Sequence, residues 1–89
     1  MIAKTVTIKN KLGLHARAAV MLVNLANRFV SSVKIEKDGS EIDGKSILGI
    51  LTLAATQGSQ ITLRISGRDE GLAMEALVDL IEERFQEEE

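Results

Sequence analysis

Apolar and polar positions alternate at the start of the chain. Val6 and Ile8 fall on one side, Thr5, Thr7 and Lys9 on the other, as in a strand with one buried face spanning Ile2 to Lys9. Asn10-Lys11 opens a loop and Gly13 breaks the alternation. From Ala16 to about Asn27 the period changes to that of a helix. Ala19, Leu22, Val23 and Ala26 share one face, and Phe29 extends it just past the end. Val33 and Ile35 alternate with Lys34 and Glu36 in a second strand over Ser32 to Glu36, and Asp38-Gly39 provides the positive-φ residues of a tight hairpin into a third, Ser40 to Asp43. The apolar run Ile47 to Ala55 is too long for an ordinary strand after Gly44-Lys45, and Ser46 is a good N-cap, so it reads as a short helix. A turn follows over Thr56 to Ser59. Ile61, Leu63 and Ile65 then alternate with Thr62, Arg64 and Ser66 in a fourth strand over Gln60 to Gly67. Asp69 is expected to cap a last helix from Glu70 to about Phe85, with Met74, Leu77, Ile81 and Phe85 along one stripe. Its acidic end, Glu87-Glu88-Glu89, opposes the helix dipole and is expected to fray.

The order βαββαβα, with one apolar face per strand, predicts an α+β two-layer fold with helices on one face of the sheet and solvent on the other. The 89 residues make a single domain, 1–89, without repeats or linkers. Two Phe and no Tyr or Trp argue against single-stranded nucleic-acid binding, which leans on aromatic platforms. A net charge of −2 implies no general attraction to nucleic acid or anionic membranes. With no cysteine there is no disulfide framework and no thiol nucleophile. Met1-Ile2-Ala3-Lys4 lacks the apolar run of a signal peptide, and no segment reaches the ~20 apolar residues of a membrane span. A soluble cytoplasmic protein is expected.

The chemistry concentrates in Gly13-Leu14-His15-Ala16-Arg17, which holds the only histidine. No Ser, Thr, Asp or Asn stands directly before the helix, so its first N–H groups remain open to an anion. Those of Ala16, Arg17 and Ala18 are candidate phosphate donors, and Arg17 adds a permanent forked cation. The helix terminus and Arg17 disfavour positive charge on the ring, so a neutral, nucleophilic imidazole is expected there. The same groups suit a phosphorylated ring. A lone histidine at a helix start is more often a plain surface or capping residue; Gly13, the free N–H groups and Arg17 weigh against that reading. One histidine gives no triad and no metal site, and no cofactor is expected.

Ser46 is most simply a cap, although a phosphate there would sit favourably at a helix start, aided by Lys45. The second helix carries Ile47, Leu48, Ile50, Leu51 and Leu53, more than one face can bury, and Val20 or Met21 adds to the surplus from the first helix. Val20, Met21, Ile47, Leu48 and Leu51 therefore form a candidate docking surface beside His15.

Gly13-Leu14-His15-Ala16-Arg17 and Lys45-Ser46-Ile47-Leu48-Gly49-Ile50-Leu51 resemble the two signature segments of HPr, the histidine-containing phosphocarriers of the bacterial phosphoenolpyruvate-dependent sugar phosphotransferase system. The resemblance spans essentially the whole chain. It implies an open-faced β-sandwich, a four-stranded antiparallel sheet with three helices on one face. It also implies that His15 takes a phosphoryl group on Nδ1 from Enzyme I and passes it to enzyme IIA domains, with Arg17 assisting. Ser46 matches the regulatory site of an HPr kinase/phosphorylase. The family usually has proline after the arginine; here Ala18 keeps the helix and adds a donor.

Three functional classes compete. A phosphohistidine relay fits the His15–Arg17 pair. A regulatory paralogue, docking on a kinase or transcriptional regulator under control of Ser46, fits the second segment. A plain small-ligand-binding domain has no positive support.

Overall fold

The computed structural model describes residues 1–87. The elements run β1 (Ile2–Thr7), α1 (Ala16–Ala26), β2 (Ser32–Lys37), β3 (Ser40–Asp43), α2 (Ile47–Thr52), β4 (Gln60–Ser66) and α3 (Glu70–Glu82), closed by a 3₁₀ turn, Arg84–Gln86. One antiparallel sheet has strand order β1-β4-β2-β3. Directly opposed residues share a face, and the register puts Val6 opposite Ile61, Val33 opposite Ile65 and Ile35 opposite Leu63. All six are buried together with Leu22, Ile50, Leu77 and Ile81 of the three helices. The other face is polar. The hydroxyls of Thr5 and Thr62 lie 3.0 Å apart, and Arg64 Nη2 donates to Glu36 Oε1 at 2.6 Å. Helices on one side and solvent on the other make the two-layer fold that the alternation predicts, the open-faced sandwich that the resemblance implies.

The β2–β3 hairpin turns at Asp38 (φ 51°) and Gly39 (φ 85°). Ser46 caps α2 as expected, its Oγ accepting from the Gly49 N–H at 3.0 Å. Ile50 and Leu53 turn inward while Ile47, Leu48 and Leu51 stay exposed.

Two expectations at α3 need correction. Asp69 occupies the N-cap position, but its side chain does not cap the helix. Its carboxylate instead accepts from the N–H groups of Val30 and Ser31, each at 3.0 Å, and from the Ser31 hydroxyl, tying down the loop between α1 and β2. Ser31 is buried, so it needs such a partner. The second difference is that α3 stops at Glu82. Arg84, Phe85 and Gln86 then adopt left-handed φ of 57°, 53° and 62°, which still drives Phe85 into the core but turns the chain out of the helical path. The acidic tail is thus not the last turn of α3. Glu87 is packed against the domain, while Glu88 and Glu89, expected to fray, lie outside the described residues.

The Ser31 hydroxyl, opposed by desolvation and joined by the N–H groups of Val30 and Ser31, holds the Asp69 carboxyl below its ordinary value. Glu70 is lowered likewise, first by the Gly67 N–H and then by the N-terminal ammonium. A carboxyl that binds its proton less readily folded than unfolded stabilises the fold above the ordinary carboxylate range of about pH 4, and that stability is lost as pH falls through its folded value. Thermal melts taken across this range should show Asp69→Asn less stable than the parent at neutral pH, with the gap narrowing on acidification. Parallel curves at all pH values would contradict this role for Asp69.

Candidate functional site

The site begins where β1 ends. Ile8 continues the strand by exchanging backbone hydrogen bonds with the turn before β4: its N–H donates to the Ser59 carbonyl and its carbonyl accepts from Gly58 N–H, both at 2.8 Å. Asn10 is fully buried. Its carbonyl accepts from the Gly13 N–H at 3.1 Å and its Nδ2 donates to the Gly13 carbonyl at 2.7 Å, closing a tight turn. Gly13 stands at φ 67°, where a Cβ would lie 2.5 Å from the Ala55 carbonyl oxygen and 2.9 Å from the Thr56 Cα. Leu14 N–H then donates to that Ala55 carbonyl at 2.9 Å, and the Leu14 side chain is buried. The loop is thus bound to the segment after α2, and the next residue to emerge is His15.

His15 is the N-cap of α1 with extended backbone (φ −75°, ψ 177°). Its carbonyl accepts from the Ala19 N–H at 2.9 Å, the first bond of the helix. Its side chain makes no capping bond, which is the geometry an uncapped sequence predicts. The N–H groups of Ala16, Arg17 and Ala18 therefore have no acceptor among the described residues. Ala16 and Arg17 are exposed, whereas Ala18 lies behind them, wholly buried. The Arg17 guanidinium makes no hydrogen bond or ion pair among the described residues and is available to a ligand. The His15 ring, about a quarter exposed, is held through Nε2, which lies 2.7 Å from Glu87 Oε2. Its Nδ1 has no partner among the described residues.

The second signature segment lies at the other end of α1. Lys45 Nζ donates to the Phe29 carbonyl at 2.8 Å, beyond the C-terminus of α1, whereas Ala55, after α2, meets Leu14 at its N-terminus. Thus α2 runs back along α1, with Lys45-Ser46 towards the C-terminal end of α1 and Ala55 at its start. The Lys45 ammonium is engaged by a backbone carbonyl, so its expected help to a phosphate on Ser46 is met by a competing partner. The candidate docking residues on α1 and α2 differ in exposure. Leu48 is 76% exposed, Val20 40%, Ile47 38% and Leu51 36%, against 0% for Ile50. Met21 is half-buried and packs on the core. A shallow depression of about 360 Å³ lined by Phe29, Leu72, Glu75, Ala76 and Asp79 lies at the far end of α1 from His15.

Sequence reasoning missed two residues of the site. Asn10 was legible in principle, because Asn three residues before a glycine is a turn signal. Glu87 was not: its approach depends on the left-handed turn at 84–86, which no local pattern announces.

Among the described residues, no group of three or more His, Cys, Asp or Glu is placed to hold a metal ion, and no helix is long and apolar enough to cross a membrane. A family model described as the PTS HPr component phosphorylation site matches residues 2–83. The phosphocarrier protein HPr of Cupriavidus necator is 52% identical over the full length of both chains. The HPr-like protein Crh of Halalkalibacterium halodurans is 51% identical over 92% of this chain and 98% of its own. A crystal structure of HPr from Thermoanaerobacter tengcongensis superposes with a TM-score of 0.97 at 47% identity, covering all of both chains.

The close approach at Gly13 sets a direct expectation. Gly13→Ala adds a Cβ against backbone atoms at a left-handed φ and should cost about 1–3 kcal/mol, read as a lower denaturant midpoint. An unchanged midpoint would contradict the close packing of this loop.

Proposed function

The chain belongs to the HPr family of phosphocarriers of the phosphotransferase system, and on that premise we propose that His15 accepts a phosphoryl group from Enzyme I, with phosphoenolpyruvate as its source, and passes it to enzyme IIA domains. A protein of this family carries the group and does not turn over a substrate. The observation that supports the relay best is the free Nδ1 of His15 at an uncapped helix start. Nucleophilic attack from Nδ1 brings the phosphoryl oxygens towards the N–H groups of Ala16 and Arg17, with Ala18 behind them. The positive end of the helix and the Arg17 guanidinium stabilise the negative charge they carry. Donors fixed by backbone geometry need no rearrangement as that charge arrives. The relay works in the cytoplasm, requires no cofactor or metal, and involves neither nucleic acid nor insertion into a membrane.

The exposed side chains of Ile47, Leu48 and Leu51, with Val20 and the half-buried Met21, form the surface on which the partner proteins dock. This surface also supports a second, regulatory role. A phosphoryl group placed on Ser46 by an HPr kinase/phosphorylase would sit at the start of α2, where the helix dipole tolerates it, and would put charge at the edge of the apolar surface. A regulatory paralogue docking on a transcriptional regulator is the corresponding alternative, favoured by the 41% identity to Crh of Bacillus subtilis, described as a catabolite repression HPr.

Incubation with Enzyme I and phosphoenolpyruvate should add one acid-labile phosphate by intact mass. His15→Ala should remove it completely, and Arg17→Ala should slow its appearance more than it weakens Enzyme I binding. A phosphate retained in His15→Ala would overturn the assignment. Ser46→Asp should slow acceptance by weakening docking; transfer kinetics equal to the parent would remove the regulatory role of Ser46.

A further inference from the structure

The carboxylate on His15 comes from 72 positions further along the chain, and two features hold it there. Asn10, fully buried, donates its Nδ2 to the same Glu87 Oε2 at 3.1 Å while also donating to the Gly13 carbonyl. Arg84, Phe85 and Gln86 stand in succession at left-handed φ, a conformation that costs non-glycine residues energy and persists only where its surroundings enforce it. Phe85, 2% exposed, is the anchor. The N–H groups of Gln86 and Glu87 close the turn on the carbonyls of Glu83 and Arg84, each at 3.0 Å. The outcome is a tail that folds back to put one carboxylate oxygen 2.7 Å from one nitrogen of the ring.

We infer that Glu87 is a positioning residue for phosphoryl transfer: it fixes the proton of His15 on Nε2, orients the ring, and leaves the Nδ1 lone pair as the nucleophile. The inference rests on the relay proposed above. An ionised carboxylate only accepts hydrogen bonds, so the nitrogen it faces must carry the proton. In the transfer, the Nδ1 lone pair forms the bond to phosphorus while the bond between phosphorus and the donor atom breaks, its electron pair remaining on the donor. No proton has to leave the ring. The positive charge that the ring gains as the new bond forms is shared with Nε2–H, directly against the Glu87 carboxylate. When the group is passed on, the Nδ1–phosphorus bond breaks and its electron pair returns to Nδ1. The arrangement is the logic of a carboxylate that orients a catalytic imidazole and stabilises its charged form, built here from the segment that follows α3 instead of the core. Arg17 and the helix start serve the phosphoryl oxygens, and Glu87 serves the opposite edge of the ring.

The test uses the full-length protein and two readouts. In the unphosphorylated, ¹⁵N-labelled parent, imidazole ¹H–¹⁵N correlation spectra should show Nε2 protonated, Nδ1 unprotonated, and an Nε2–H slow to exchange. Glu87→Ala should lose the exchange protection and redistribute the proton over both nitrogens. Its kcat for acceptance from Enzyme I should fall about three- to tenfold, the scale of one charge-assisted hydrogen bond, with KM unchanged. Glu87→Gln, which keeps an acceptor but not the charge, should restore the tautomer and only part of the rate. A parent spectrum with Nδ1 protonated, or a Glu87→Ala variant equal to the parent in rate and tautomer, would overturn the inference. If Glu87 locks the tautomer but the parent accepts no phosphate, the relay fails while the contact stands, so the two failures can be told apart.

Discussion

The approach of Gly13 and Leu14 to Ala55 is the constraint on which the site depends. A helix needs something at its start, and in most chains a side-chain oxygen supplies it. Here the loop before α1 is secured by its own backbone, Leu14 N–H to the Ala55 carbonyl, in a space too small for a Cβ at Gly13. The N-cap residue is released from capping, and its imidazole is free for chemistry. The sheet contributes at one remove: Ile8 and the turn at Gly58-Ser59 are paired by two backbone bonds, so the loop carrying His15 and the segment carrying Ala55 are both fixed to strand ends.

The same geometry divides labour along α1. Its start carries the His15 ring and N–H groups without an acceptor among the described residues; beyond its end, the Phe29 carbonyl takes the Lys45 ammonium beside Ser46. Because α2 runs back alongside, its exposed side chains, Ile47, Leu48 and Leu51, stand beside α1. Charge at Ser46 would stand at the start of α2 beside its exposed apolar side chains, so interference with docking is the route by which the proposed regulation would act. A relay protein needs such an arrangement, since its partners must bring their reactive groups to one exposed ring and leave again.

Much of this was legible in the chain. Strict alternation in β1, β2 and β4 identified the buried face, and Asp38-Gly39 gave the hairpin its turn, because both are local matters of period and allowed φ. The surplus of apolar residues in α2 separated correctly into buried Ile50 and Leu53 and exposed Ile47, Leu48 and Leu51. The absent cap before α1 pointed to His15. What escaped depends on partners distant in sequence. Asp69 looks like a cap, yet it serves the buried Ser31 38 positions away. Lys45 looks like company for Ser46 and instead reaches the Phe29 carbonyl in the loop between α1 and β2. Glu87 looks like part of a frayed acidic end, because nothing local shows that Phe85 leaves the helical path to enter the core.

The most direct measurement is the position of the phosphoryl group itself. The protein, labelled with ¹⁵N in its histidine and phosphorylated by Enzyme I and phosphoenolpyruvate, would be examined for ³¹P coupling to each ring nitrogen. Coupling at Nδ1, with the proton retained on Nε2, is the expected result. Coupling at Nε2, or phosphate found on Ser46 with the ring unmodified, would contradict the account.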